Sequence, residues 1–356
     1  MNDTRYRYAI IGTGRPHASQ DATGFGMAHP HYKGFQASGR TDLVAIADTE
    51  QGHARAFLAD YNEDAKIYND YREMLREARP DIVSVTTWPH LHADMTVSAC
   101  EAGARAVHCE KPMATTWGDA KRMKVAADQS GTILTFNHQR RFLAPFQKAV
   151  AIIRGGELGD LLRIEAQCGD MYDWGTHWLD MMQFFNDETP IEWVIGQIDS
   201  RKENRVFGAR MENQAVCHFK WANDVRGLLV TGYQAKIDAA LRVIGANGTL
   251  EVLGNQPCLR VRTIGDADWR VIETGEGLHN GVAIDRACAD LVRALDEPGY
   301  KPLLSVDSAI KHTEVIFATY HSSLYRGRVD LPLASEGNAL LEMLDEQSIG
   351  PDRRTA

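Results

Sequence analysis

The sequence lacks any long apolar run. No stretch approaches the roughly 18 uninterrupted apolar residues of a membrane-spanning helix. The first apolar run ends at Gly12, which is too early for the apolar region and cleavage site of a secretory signal peptide. These absences predict a cytoplasmic protein with no membrane partner.

Cysteine is scarce, and the six cysteines form no C-x-x-C pair. They are Cys100, Cys109, Cys168, Cys217, Cys258 and Cys288. This scatter argues against a disulfide framework and against a zinc cluster. Two His-x-His pairs, at 29–31 and 90–92, do not supply the three or four convergent ligands that zinc needs. We therefore predict no metal site.

Positive charge is in deficit. Lys and Arg total 39 against 48 Asp and Glu, which gives a net charge of −9. No Lys/Arg run is long enough to form a basic patch, so nucleic acid is not expected as a partner. The length of 356 residues and the 44% hydrophobic content are typical of a globular chain of about two domains.

Short apolar runs alternate with helix-like segments in the first part of the chain. The runs lie at 8–11, 42–47, 81–86, 104–109 and 132–136. The helix-like segments lie at 54–61, 71–77, 90–102 and 118–129. Apolar runs bounded by turn residues suit strands that are buried on both faces of a parallel sheet. The alternation predicts a doubly wound α/β domain over residues 1–135.

The pattern changes after about residue 155. Strand-like segments follow one another at 161–168, 191–198, 214–219, 227–230, 241–244 and 249–252, and helices return at 282–295 and 306–325. Tight turns such as Asn247-Gly248 favour antiparallel pairing. We predict an α+β second domain over residues 136–333, with a large, mostly antiparallel sheet and helices on one face. Whether the last helix and strand pack back on the first domain stays open, and residues 334–356 are expected to form a loosely held polar tail.

The first strand ends in the glycine turn Gly12-Thr13-Gly14. A dinucleotide fold needs glycine here because the chain turns tightly and its backbone approaches a pyrophosphate. His17 occupies the position of the third glycine, so residues 15–25 are interpreted as an insertion that folds over the crevice. An ordinary strand-ending turn is the alternative for this feature alone.

Asp48 ends the second predicted strand. An acid at this position accepts hydrogen bonds from the adenosine ribose and repels a 2′-phosphate, so Asp48 predicts NAD rather than NADP. A helix N-cap is the alternative interpretation of the same residue.

Glu110-Lys111-Pro112 follows the predicted strand at 104–109, at the edge of the sheet where ligands bind. Further motifs lie at 86–92, 101–103, 137–142, 156–159 and 173–180. With the glycine turn, these motifs resemble the glucose–fructose oxidoreductase / inositol dehydrogenase / rhizopine-catabolism (Gfo/Idh/MocA) family. The resemblance extends from about Tyr6 to Leu331.

The resemblance implies a Rossmann-like N-terminal domain and a second domain built on a large sheet. It also implies that Lys111 lies beside the nicotinamide and the reacting carbon, and that a cis peptide often precedes Pro112. The residues expected to bind NAD are Gly12, Thr13, Gly14, Asp48, Thr86, Thr87, Pro89, His92, Glu110, Lys111 and Asn137.

Asp173 and His177 are four residues apart. A neutral imidazole suits the proton that leaves a secondary alcohol during oxidation, and a nearby carboxylate can orient the ring or bind a hydroxyl. A capping aspartate followed by a core histidine is the alternative. The resemblance favours catalysis by Lys111, Asp173 and His177, and a histidine rather than a tyrosine at 177 indicates the sugar and inositol branch. Asp180 is a candidate second orienting acid.

Aromatic and basic residues extend the expected substrate site. Arg140 and Arg141 either contact an anionic substrate or pair with surface acids. The substrate-binding set is expected to comprise Lys111, Arg140, Tyr172, Asp173, Trp174 and His177.

The leading hypothesis is an NAD-dependent oxidoreductase that moves hydride between a ring secondary alcohol and nicotinamide, with His177 as the general base. The alcohol would belong to a sugar, glycoside or cyclitol. One alternative is an NAD-recycling glycosidase that works by transient oxidation and elimination. A non-enzymatic alternative is a nucleotide-sensing regulator. In relatives the second sheet commonly mediates association, so a homodimer or homotetramer is expected.

Overall fold

The computed structural model describes residues 5–15, 24–233, 235–346 and 348–349. The segment 16–23, which holds His17 and most of the proposed insertion, lies outside the described residues.

The strands are numbered in chain order. They are β1 (Tyr6–Ile11), β2 (Thr41–Ala47), β3 (Lys66–Tyr68), β4 (Ile82–Val85), β5 (Ala106–Cys109), β6 (Ile133–Phe136), β7 (Leu161–Cys168), β8 (Ile191–Asp199), β9 (Arg205–Val206), β10 (Ala209–Arg210), β11 (Gln214–Trp221), β12 (Arg226–Thr231), β13 (Leu241–Gly245), β14 (Gly248–Val252), β15 (Leu259–Thr263), β16 (Arg270–Val271) and β17 (Val329–Asp330).

The helices are α1 (Ala28–Ala37), α2 (Gln51–Tyr61), α3 (Tyr71–Ala78), α4 (Pro89–Glu101), α5 (Trp117–Ser130), α6 (Ala144–Arg154), α7 (Gly175–Phe185), α8 (Val282–Asp296), α9 (Val306–Tyr325) and α10 (Ala339–Asp345). A short 3-10 helix covers Gln139–Phe142. Among the described residues, none of these helices is both long and apolar enough to cross a membrane.

The chain divides into two compact units. The first contains residues 1–115, 119–139 and 281–310, and the second contains 116–118, 140–280 and 311–356. Helix α8 therefore belongs to the first unit, and α9 begins there and continues into the second. This division differs from the linear boundary expected at residue 135.

The first unit is built on a six-stranded parallel sheet. Its order is β3-β2-β1-β4-β5-β6, and every residue of β4 and β5 is buried. Strands buried on both faces read as continuous apolar runs, which is why the sequence indicates them clearly. The doubly wound sheet is confirmed, and the order reverses between β1 and β4, where such folds bind ligands.

Helices α1 and α8 pack closely in the first unit. A Cβ added at Gly34 of α1 would lie 2.8 Å from Sγ of Cys288 in α8. Phe35 and Leu291 belong to the same buried apolar cluster as Tyr8 of β1. The return of α8 thus completes the core of the first unit, about 150 residues after the local βα pattern ends.

The second unit is built on a nine-stranded sheet. Its order is β16-β15-β14-β13-β7-β12-β11-β8-β17, and β7 and β12 are its parallel neighbours while the other pairs are antiparallel. The mostly antiparallel sheet is confirmed. The turn at Asn247-Gly248 joins β13 to β14 as expected, since Ile244 pairs with Thr249.

Helix α9 covers part of one face of this sheet. Gly196 of β8 allows the approach, because a Cβ there would lie 2.5 Å from Cγ2 of Thr319, and its N–H donates to Oγ of Ser322 at 2.8 Å. Part of the expected loose tail is helical, since residues 339–345 form α10. Leu340 and Met343 of α10 are buried.

Candidate functional site

A cleft of about 450 Å³ lies at the carboxyl edge of the parallel sheet, within the first unit. The residues that line it follow β1, β2, β3 and β4. They are Ile11, Gly12, Gly14, Ala47, Asp48, Thr49, Glu50, His53, Asn69, Tyr71, Thr86, Thr87, Trp88, His90, Leu91 and Met95. The structure therefore brings together five residues of the expected NAD site: Gly12, Gly14, Asp48, Thr86 and Thr87.

The glycine turn has the geometry that its sequence predicts. Gly12 has φ +84°, and a Cβ there would lie 2.5 Å from Cγ2 of Thr87. Thr86 Oγ1 donates to the Gly12 carbonyl at 2.5 Å. Gly14 has φ +57°, and a Cβ there would meet no atom of the described residues within 4 Å. The room in front of Gly14, which has no side chain, fits the close approach of a dinucleotide pyrophosphate.

Asp48 holds this turn. Its Oδ2 accepts the N–H and the hydroxyl of Thr13 at 2.8 and 2.7 Å, and it lies 3.4 Å from the Gly14 nitrogen. Its Oδ1 accepts the Glu50 N–H at 2.8 Å, immediately before α2. Asp48 thus supports the helix start as well as lining the cleft, and Thr13 contributes to the turn rather than to the cleft wall.

Glu110 is a buried carboxylate beside Lys111. Its Oε1 accepts from His31 Nε2 at 2.8 Å and from Asn137 Nδ2 at 2.7 Å, and its Oε2 accepts the Lys111 backbone N–H at 3.2 Å. Burial opposes ionisation of Glu110, but the hydrogen bonds and charge of its neighbours outweigh burial and lower its pKa to about 2.

The buried network continues behind Glu110. Ser84 lies 3.1 Å from His31 Nδ1 and accepts the Tyr8 hydroxyl at 2.8 Å. Glu110 and Asn137 are 6% and 1% exposed. These two residues were expected to bind the cofactor, but their side chains support the strand end that carries Lys111. The peptide between Lys111 and Pro112 is cis, as the resemblance implied.

His92 and Pro89 require a correction. His92 is fully buried, with Nδ1 2.9 Å from the Pro112 carbonyl and Nε2 3.1 Å from the Thr87 carbonyl. Its ring therefore connects two loops behind the cleft and does not line it. Pro89 is the buried first residue of α4. Helical periodicity places a residue on a face of α4, but it does not reveal whether that face points to the cleft or to the interior.

Asp170 organises the turn that carries Asp173 and His177 in the second unit. Its Oδ1 accepts the N–H groups of Asp173 and Trp174 at 2.6 and 3.0 Å. Its carbonyl accepts the Gly175 N–H at 2.9 Å. A Cβ at Gly175 would lie 2.9 Å from the same carbonyl oxygen, so this position needs glycine. Asp173 thereby comes just before the N-terminus of α7, with His177 in its first turn.

A second buried acid lies next to Asp170. Glu212 is fully buried, and it accepts the Met171 N–H at 2.5 Å and the Tyr320 hydroxyl at 2.7 Å. Burial and the Glu212 charge raise the pKa of Asp170 to about 7. Asp170, whose carboxylate holds the candidate catalytic turn, therefore gains or loses its proton near neutral pH.

The candidate substrate residues of the second unit are mostly enclosed. Tyr172, Asp173 and His177 are 4%, 6% and 5% exposed, whereas Trp174 is 42% exposed. An enclosed carboxylate and imidazole on one rigid turn suit proton transfer, because burial limits exchange with bulk water.

Arg141 is an internal ion-pair partner. Its Nε and Nη2 donate to the Asp180 carboxylate at 3.0 and 2.7 Å, and its Nη1 lies 2.7 Å from Glu188. Asp180 is 1% exposed. The structure therefore assigns Asp180 to this pair and not to a second orienting acid, and the acids that Arg141 meets are largely internal.

Arg140 has different surroundings. It is 5% exposed, and its guanidinium carbon lies 5.6 Å from the ring centroids of both Trp174 and Trp178. Burial lowers the pKa of Arg140 to about 10, although Asp173 and other nearby groups oppose that change. Arg140 remains a cation at neutral pH.

Two family models match the chain. One is described as the oxidoreductase family with an NAD-binding Rossmann fold and covers residues 6–138. The other is the GFO/IDH/MocA C-terminal domain and covers residues 169–251. The chain belongs to the Gfo/Idh/MocA oxidoreductase family. The motif resemblance is thereby confirmed, and NAD is the cofactor that the family's N-terminal domain binds.

Two relatives within the Gfo/Idh/MocA family have named activities. Inositol 2-dehydrogenase of Salmonella typhimurium is 32% identical over 127 residues, which cover 35% of this chain and 38% of the relative. D-glucoside 3-dehydrogenase of Escherichia coli is 31% identical over 179 residues, which cover 49% of this chain and 47% of the relative. The chain thus matches less than half the length of either protein.

A solved structure extends the likeness in fold. Levoglucosan dehydrogenase, in complex with NADH and levoglucosan, superposes with a TM-score of 0.78 and is 18% identical. The match covers 92% of this chain and all of that chain. At this identity the likeness concerns the fold alone.

Sequence reasoning missed the buried acids of the second unit and several residues of the cleft wall. Asp170 precedes the recognised motif by three residues, and a helix-capping acid before Gly175 was its only local signal. Glu212 comes from a distant strand connection and carries no local signal. His90 belongs to the recognised motif at 86–92, but its exposure to the cleft depends on the start of α4.

We predict that Asp170→Asn makes stability less sensitive to a rise in pH between about 4 and about 7. The folded-state pKa of Asp170 is raised, so the wild type loses stability as pH rises from about 4 to about 7. Asn keeps an oxygen for both N–H groups and has no such loss. The variant should gain about 2 kcal/mol relative to wild type between about pH 5 and about pH 8 in denaturant titrations. Asp64→Asn, at an exposed site, is the control, and equal pH responses of wild type and Asp170→Asn would contradict the prediction.

We predict that Asp48→Asn reduces the preference for NAD over NADP by about tenfold, which corresponds to about 1.4 kcal/mol. The substitution removes the charge that repels a 2′-phosphate and weakens the bonds to Thr13. Calorimetric dissociation constants for both dinucleotides provide the measurement. Glu50→Gln is the matched control, because Glu50 lines the same cleft and only its backbone bonds Asp48. An unchanged ratio in Asp48→Asn would show that another group selects the cofactor.

Proposed function

We propose that this chain is a cytoplasmic, NAD-dependent dehydrogenase that oxidises a ring secondary hydroxyl of a sugar, glycoside or cyclitol. The observation that carries the proposal is the supported turn that presents Asp173 and His177 at the start of α7. The named activities of the Salmonella and Escherichia relatives support the substrate class.

The proposed roles follow from the chemistry of each side chain. His177 accepts the hydroxyl proton of the substrate, and Asp173 orients the imidazole or binds an adjacent hydroxyl. The ammonium group of Lys111 donates to the reacting oxygen and stabilises negative charge on it. NAD, when bound, accepts the hydride. Gly12, Gly14 and Asp48 are the residues that hold it in this proposal.

Rigid support of these groups favours catalysis. Asp170 fixes the backbone N–H groups of Asp173 and Trp174, and Glu110 accepts the backbone N–H of Lys111. Small displacements of reacting groups cost large factors in rate, so preorganised loops are expected at a catalytic site. A regulator that only senses the dinucleotide has no need of a supported proton acceptor.

We predict that His177→Ala lowers kcat about 10²- to 10⁴-fold while NAD binding persists. The measurement is NADH absorbance with a panel of sugars, glycosides and inositols, together with NAD calorimetry. His321→Ala, in the last part of α9, should retain wild-type turnover. Full turnover by His177→Ala would refute the assigned role. Glycoside cleavage without NADH accumulation would instead identify the NAD-recycling glycosidase.

We also propose that the protein forms a homodimer or homotetramer through the face of the nine-stranded sheet that bears Val216. Ile195 of β8 and Val216 of β11 are 45% and 42% exposed. The register places Val230 of β12 opposite Val216, on the same face. Exposed apolar side chains on adjacent strands are typical of a protein interface.

We predict that Val216→Lys shifts the protein toward monomer, because it places a charge in the proposed interface. Light scattering after size exclusion gives the mass at matched concentrations. Ile264→Lys, at an 81% exposed position after β15, is the control and should leave the mass unchanged. A wild-type monomer, or an unchanged assembly in Val216→Lys, would overturn the proposal.

A further inference from the structure

Arg140 is a buried cation with two nitrogens that make no hydrogen bond to the described residues. Among the described residues, neither its Nε nor its Nη1 has a hydrogen-bond partner, although both atoms are buried. A guanidinium has five N–H donors arranged in two forks, and each fork contains one of these two nitrogens. Buried charged groups are normally paired, because an unpaired one costs several kcal/mol. The position therefore lacks an acceptor that a ligand would supply.

The adjacent Arg141 does not share this lack of hydrogen-bond partners. Arg141 is equally enclosed, yet its three nitrogens meet Asp180 and Glu188. The fold thus gives the Arg141 guanidinium hydrogen-bonded counter-ions, whereas Arg140 has no such bond at Nε or Nη1 among the described residues. A purely structural role for Arg140 would be expected to show the same internal pairing.

The surroundings of Arg140 contain two aromatic residues and one acid of the candidate site. Trp174 and Trp178 stabilise the guanidinium through their ring faces without accepting a hydrogen bond in its plane. Asp173 contributes the largest compensating negative charge, and Asp180 contributes less. The exposed Trp174, whose ring is 6.0 Å from that of His279, forms the accessible side of this group.

We propose that Arg140 binds a carboxylate of the substrate, so that the compound oxidised is a sugar acid rather than a neutral sugar. This inference rests on the proposed dehydrogenase function and adds the charge class of its substrate. The carboxylate approaches the guanidinium beside the exposed Trp174. Asp173 and His177, on the same turn as Trp174, then lie beside a substrate that is anchored at its acidic end.

The charge balance favours a carboxylate over other acceptors. Neutral hydroxyl oxygens can accept hydrogen bonds, but they add no charge to the partial compensation that Asp173 provides. A phosphate brings about two negative charges to one arginine and meets repulsion from Asp173. A carboxylate matches the guanidinium in charge and in its planar, two-oxygen geometry.

The test compares matched pairs that differ in one carboxylate: glucuronate with glucose, galacturonate with galactose, and methyl glucuronide with methyl glucoside. Glucose 6-phosphate is the phosphate arm. Wild type with saturating NAD should show at least about tenfold lower KM and Kd for the acid of one pair. Arg140→Met should raise the KM of that acid at least about tenfold and change the KM of its neutral partner less than about threefold.

Two further variants separate recognition from folding. Arg140→Lys keeps the charge without the fork and should give an intermediate KM for the acid. Arg201→Met, at a 79% exposed side chain, makes the same change in net charge and should leave all constants unchanged. Thermal melts of the variants identify any loss of fold.

The outcomes distinguish this inference from the proposed function. Turnover of neutral sugars without preference for any acid would overturn the inference and leave the dehydrogenase intact. Equal weakening of acid and neutral substrates in a folded Arg140→Met, or a preference for glucose 6-phosphate, would also overturn it. Arg140-dependent binding of an acid by calorimetry without any NADH formation would instead support the anion site and refute the dehydrogenase.

Discussion

A carboxylate accepts backbone N–H groups in three of the loops that carry candidate site residues. Asp48 binds the glycine turn through Thr13, Glu110 binds the Lys111 nitrogen, and Asp170 binds the nitrogens of Asp173 and Trp174. Loops at the end of a sheet have few internal partners for their N–H groups, and water is excluded from an enclosed site. An ionised side chain is a strong acceptor that fixes such a loop without adding strands or helices. The positions of the chemically active side chains depend on these bonds.

The pKa values of these supporting carboxylates differ between the two units. Glu110 has His31 and Asn137 as side-chain donors, and its low pKa keeps it charged throughout the neutral range. Asp170 has the acid Glu212 as a neighbour, and its raised pKa brings it close to protonation near neutrality. The carboxylate beside Lys111 therefore accepts at every ordinary pH, whereas the turn with Asp173 loses acceptor strength as Asp170 takes up a proton.

Local features of the fold were predictable, and long-range partners were not. The buried strands are predictable from apolar runs, and the glycine turn is predictable from the backbone conformation that Gly12 allows. Both features depend on residues that are neighbours in the sequence. Helix α8 packs in the first unit because Gly34 admits it, and nothing in the intervening sequence signals that return. For the same reason periodicity could not show that His92 faces two carbonyls in the interior. Sequence motifs identified site residues that lie close together along the chain. Glu212 comes near Asp170 only in the folded protein, so no local motif marks it.

Hydrogen-bond satisfaction separates residues that shape the site from residues available to a ligand. Arg140 and Arg141 are adjacent, equally basic and almost equally buried, so composition and burial do not distinguish them. Arg141 has Asp180 as a complete internal partner, and a ligand that displaced it would have to replace a buried ion pair. Arg140 has aromatic faces but no acceptor among the described residues at two of its nitrogens. A ligand that supplies an acceptor to Arg140 removes the free-energy cost of its unbonded N–H groups and breaks no existing ion pair. This difference distinguishes a residue that can bind a ligand from one that supports the fold.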